Sequence, residues 1–72
     1  MSRIVYEISH HELEGKWLVH RCGVPFSVHE TQKDAIAAAQ EHARAEHHAE
    51  GRCCQVKWQG GEQFFGRDAD AA

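Results

Sequence analysis

Seven histidines and three cysteines are the side chains of this 72-residue chain best able to hold a metal or attack a substrate. Their spacing decides whether they do. His11 and Glu12 begin the zinc-protease pattern H-E-x-x-H, in which two histidines one helical turn apart grip the ion. The pattern fails, because Gly15 stands where the second histidine is needed. His42 and His47 are five residues apart on a predicted helix. At roughly 3.6 residues per turn they point about 140° apart and cannot share an ion. Cys53 and Cys54 are neighbours, so on a strand they face opposite ways, and no C-x-x-C occurs. His20 and Cys22 share a strand face, where a thiolate–imidazole pair would be the minimum for nucleophilic chemistry. No third residue orients the imidazole. The expectation is no metal site, no cofactor, no catalytic residue and no enzyme.

Composition bounds the remaining choices. The net charge is −3 with histidines neutral, and no basic segment stands out. Weak binding of single-stranded nucleic acid is the alternative to a protein partner, with Trp17, Trp58 and Tyr6 as candidate stacking rings. An odd cysteine count with two adjacent cysteines makes a disulfide framework a poor fit. No apolar run approaches the roughly 18 residues of a membrane span, and "MSRIVYEISHH" lacks the apolar stretch of a secretory signal. A soluble, cytoplasmic protein with no membrane contact is expected.

The elements that would position these residues follow from periodicity. "RIVYEIS" alternates with Ile4, Tyr6 and Ile8 on one face and reads as a strand. "HHELEG" is a polar turn. "KWLVHR" is a second strand with Trp17 and Val19 on one face and Leu18 and His20 on the other, and a hairpin is its simplest pairing with the first. "FSVHE" alternates again, with Phe26 and Val28 on one face. Pro25 cannot donate to a ladder, so this third strand is short or at an edge. Thr31 is the N-cap of a helix from Gln32 to about Ala49, with Asp34 in its first turn and Gly51 as its stop. Ala35, Ile36, Ala39 and Ala43 share one helical stripe, thin enough for the helix to lie close to the sheet. "CCQVKW" and "QFF" flank the glycine turn "QGGE" as a final hairpin.

The predicted fold is an α+β two-layer sandwich of order β-β-(β)-α-β-β. It has an antiparallel sheet of four or five strands and one helix on one face. Residues 1–67 make a single small domain, and residues 68–72 a frayed tail. Trp17, Ile36, Val56 and Trp58 are expected to pack together. The uncovered sheet face would carry Val5, Leu18 and one of Phe64 and Phe65, since adjacent strand residues face opposite ways. Phe65 is assigned to that face. Val5, Leu18 and Phe65 then form the expected interface, for a homodimer or another protein partner.

This order and its landmarks resemble a known family, the small bacterial domain of unknown function numbered two-one-eight-eight. Its members show a W-x-V strand, a polar turn, a T-x-x-x-A-I-x-x-A helix start, a further strand and a glycine turn. Here these are Trp17-Leu18-Val19, the run from Thr31 through Ala35-Ile36 to Ala39, "CQVKW" and Gly60-Gly61. The last turn departs from the Asp-Gly more usual in the family. The resemblance covers about residues 4–67. It implies a fold, through packing residues, and no activity, cofactor or catalytic residue. The expected function is a non-catalytic structural or protein-interaction module.

Overall fold

Two hairpins lead the chain into its helix. A computed structural model describes residues 3–66. It places β1 (Ile4–His11), β2 (Lys16–Arg21), β3 (Val24–His29), α1 (Gln32–Glu50), β4 (Cys54–Trp58) and β5 (Gly61–Phe65) in that order. The five strands form one sheet, β3-β2-β1-β4-β5, with α1 packed across one face. The expected tail at residues 68–72 lies outside the described residues.

The fold is the expected α+β layer pair with all five strands present, and one pairing differs from a purely antiparallel sheet. β1 and β4 are parallel, with Tyr6 opposite Val56. Two hairpins leave β3 running in the direction of β1, and the helix then carries the chain back the other way. A 19-residue helix spans roughly 28 Å, enough to recross the sheet. The next strand therefore starts in the direction of β1. The free edge of β1 is where it can pair while the helix covers the middle of the sheet.

The helix ends where its capping residues stand. The Thr31 hydroxyl accepts from the Asp34 N–H at 3.1 Å. Gly51, at φ 70°, donates its N–H to the His47 carbonyl at 2.8 Å. Ala35, Ala39 and Ala43 are fully buried beneath the helix. They meet Tyr6, Ile8, Val19, Cys54 and Val56, which complete the buried core. Because the helix contributes only methyl groups there, its axis approaches the sheet closely and the strands supply the volume.

The aromatic residues sit further out than expected. Val56 is at the centre, whereas Trp17, Trp58 and Ile36 are half-buried and pack around the margin of the core. Phe26 and Val28 do not share a face. The β2–β3 register shifts between Val19 and His20, so the alternation breaks there. Val28 stands opposite Leu18 on the open face. Phe26 turns to the helix side, edge-on to the rings of Tyr6 (5.8 Å) and His42 (4.7 Å).

The β2–β3 turn is built from Cys22 and Gly23, both at positive φ, 52° and 84°. Two-residue hairpins of this kind favour Asn-Gly, because a Cβ at positive φ is strained. Cys22→Asn is expected to stabilise the domain by about 1 kcal/mol and raise the melting midpoint by roughly 4–8 °C. Calorimetry of the variant checks this. A lowered midpoint would contradict the turn geometry.

Candidate functional site

Two regions hold the polar side chains that sequence spacing could not place. The first lies under the C-terminal half of α1. Positions 35, 39, 43 and 46 continue one helical stripe, so Glu46 falls on the buried side below Ala43. Its side chain is only 11% exposed. The Tyr6 hydroxyl donates to Oε1 at 2.7 Å. Arg21 donates from Nε to Oε1 at 3.3 Å and from Nη2 to Oε2 at 2.5 Å. Arg52 adds a bond from Nη1 to Oε2 at 3.0 Å. One carboxylate thus ties the helix to β1, to β2 and to the segment leading into β4.

The electrostatics follow from those bonds. The Arg21 guanidinium, helped by Tyr6 and Arg52 and opposed by burial, holds the Glu46 carboxyl down at about 2. Burial first, then the bond to Glu46, pushes the Tyr6 phenol up to about 12. Arg21 is held more firmly protonated, chiefly by its bonds to Glu46. Burial, reinforced by the Glu46 charge, also raises the Cys54 thiol. A saturated carboxylate held near 2 is a poor base at neutral pH, and a phenol near 12 is a poor acid. The cluster is chemically a clamp.

Beside it, Arg21, Cys22, Val24, Pro25 and Phe26 line a shallow groove of about 400 Å³. Cys22 is exposed and donates its backbone N–H to the Val5 carbonyl at 2.8 Å. Among the described residues no hydrogen bond joins Cys22 to His20. The other histidines make separate contacts. His10 stacks on Trp17 with centroids 4.5 Å apart, His29 bonds the Ser27 hydroxyl at 2.9 Å, and His47 bonds the Arg52 carbonyl at 2.9 Å. Among the described residues no three of His, Cys, Asp and Glu converge to hold a metal.

The second region is the open face of the sheet. Residues directly opposite in a ladder share a face, so the register reads it off rung by rung. Val5, Gln55 and Phe64 form one rung. His20, Glu7, Lys57 and Glu62 form the next. Ser9, Leu18 and Val28 stand beyond it. Val5, Leu18 and Phe64 are half-buried and Val28 is 59% exposed. The Arg3 guanidinium lies 5.7 Å from the Phe64 ring centroid and donates to Gln55 at 3.2 Å, and Gln55 donates to Glu62 at 2.6 Å.

Of the three residues expected on this face, Val5 and Leu18 are there. Phe65 is not: it stands opposite Cys54 and packs against the core on the helix side. Phe64, opposite Gln55, takes the outer position. Nor do the apolar residues form one continuous patch, because the charged rung runs between Val5 and Leu18.

The fold landmarks invite comparison with known proteins. A family model described as "Uncharacterized protein conserved in bacteria (DUF2188)" matches residues 6–62. The chain belongs to this family. The matched span of this DUF2188 domain begins at Tyr6 of the clamp and takes in Arg21, Glu46 and Arg52 as well as the charged rung through Glu62. No curated protein and no solved structure matches the chain. Among the described residues no helix is long and apolar enough to cross a membrane.

Proposed function

We propose that this DUF2188 domain is a non-catalytic structural or protein-interaction module whose working surface is the open face of its sheet. The observation that carries this reading is the one-sided layering. A single helix covers one face, and the other leaves Val5, Leu18 and Phe64 at the surface with a charged rung among them. The residues with shifted proton affinities are Tyr6, Arg21 and Glu46 of the clamp, whose bonds hold helix and sheet together, and Cys54, a thiol buried in the core. The three cysteines are free thiols, which suits a reducing, cytoplasmic setting.

A protein partner is favoured over single-stranded nucleic acid. Trp17 and Trp58 pack on the helix side, which leaves Phe64 and the smaller His20 ring on the open face, a sparse platform for stacking bases. Glu7 and Glu62 flank Lys57, whereas a phosphate backbone asks for a continuous basic track.

Leu18→Glu tests the reading. Leu18 is half-buried on the open face and outside the core cluster, so the variant is expected to melt within about 1 kcal/mol of wild type. Light scattering at hundreds of micromolar should show wild type heavier than a monomer and the variant at monomer mass. Equal masses for the two proteins at every concentration would count against the open face as a self-association surface.

A further inference from the structure

We propose that the partner of the open face is a second copy of this chain, joined about a two-fold axis that runs parallel to the strands between β1 and β4. This rests on the reading of that face as the working surface.

The charged rung carries the inference. Across β2, β1, β4 and β5 it reads His20, Glu7, Lys57, Glu62, each opposite the next in the ladder. The order is donor, acid, base, acid. Neutral or charged, the imidazole of His20 can donate an N–H to a carboxylate. Reversed, the rung reads acid, base, acid, donor. Laid on its own reverse, every member meets its complement. Glu7 of each copy lies over Lys57 of the other, and His20 of each over Glu62 of the other.

Sheets that pack face to face lie roughly aligned, within about 30°. A two-fold along the strands between β1 and β4 produces that reversal, placing β1 over β4 and β2 over β5. A two-fold across the strands at the same rung would stack Glu7 on Glu7 and Lys57 on Lys57. The charge order therefore selects one axis. Among the described residues neither Glu7 nor Lys57 forms an ion pair within the chain, and both are exposed.

The area fits a weak dimer. The four strands that overlap about this axis, β2, β1, β4 and β5, about 4.8 Å apart with five or six residues of about 3.3 Å each, make a face of roughly 350 Å², and β3 lies outside the overlap. Two such faces, about 700 Å² in all, fall below the roughly 1,200 Å² of stable specific interfaces and among weak, transient ones. A dissociation constant on the order of 100 μM is expected, weakening as salt screens the rung.

Sedimentation equilibrium at low salt on wild type, Glu7→Lys, Lys57→Glu, the double variant and Leu18→Glu tests the arrangement, with circular dichroism to show each is folded. Each single reversal should weaken association about tenfold or more, and the double reversal should return it to within about threefold of wild type. Wild type at monomer mass up to about 1 mM would overturn the second copy as partner. Dissociation by Leu18→Glu with no rescue in the double variant would overturn the two-fold and leave the open-face reading standing. No response to any variant in an associating wild type would overturn both.

Discussion

Glu46→Ala is expected to destabilise the domain by about 3–5 kcal/mol. The cost comes from what remains: a half-buried Arg21 guanidinium and a buried Tyr6 hydroxyl, both stripped of their acceptor. A 72-residue domain has only about 4–10 kcal/mol in total, so much of the variant should be unfolded at 37 °C. Urea titration of the variant measures the loss. Glu46→Leu combined with Arg21→Met should cost less than the sum of the two changes, because the more buried charge pair is removed together and the Arg52 guanidinium left behind is half-exposed to water. If the double change costs the sum of the single ones, the cluster is not acting as a unit.

The same carboxylate fixes the acid limb of stability. Its pKa falls from an ordinary 4.5 to about 2 on folding. Its contribution is therefore complete above 4.5 and is lost as pH drops from there through 2. Tyr6 has the opposite sign. Its phenol rises from 10 to about 12, so its contribution holds below pH 10 and is lost as pH climbs through 12. Glu46→Gln should flatten the acid limb between those limits, which melting curves across pH would show.

Ala39→Leu is the second large effect, expected at about 3 kcal/mol and near the upper end for overpacking. Ala39 is fully buried at the middle of the helix stripe, against a core closed by Val19, Val56 and Cys54. Three added carbons there must push the helix off the sheet, which also stretches the Glu46 bonds about two turns away. Thermal melting of Ala39→Leu beside Ala37→Leu, on the exposed side of α1, separates overpacking from helix propensity. Similar midpoints for the two would contradict the close approach of helix and sheet.

Most of this fold could be read from the sequence, because its signals are local. The alternation Ile4-Tyr6-Ile8, the Thr31 and Gly51 caps and the paired glycines at Gly60-Gly61 each depend on neighbours a few residues away. The parallel β1–β4 pair could not be read that way, since it depends on where the helix delivers the chain. The bulge at Phe26, opposite the Val19–His20 step of β2, has no composition signal, and it separates the face of Phe26 from that of Val28. Phe64 and Phe65 differ only by the register of β5, which is set by the turn at Gln59-Gly60.

The clamp was hidden for another reason. Glu46 looks like one more polar residue on a polar helix, and only its place on the stripe of Ala35, Ala39 and Ala43 marks it. Its partners lie 40, 25 and 6 residues away in sequence. The charged rung is legible in composition and invisible in arrangement, because its four members come from four strands.

The open sheet face is proposed as the surface this domain works with. A dilution series followed by methyl resonances tests it most directly, from about 1 mM down to about 20 μM, a span that brackets the weak dimer expected from the area. Val5 and Leu18 methyl signals are expected to shift together with concentration, while those of Ala37 and Ala45 on the outer side of α1 stay fixed. Shifts centred on the helix, or none on the open face across the series, would contradict it.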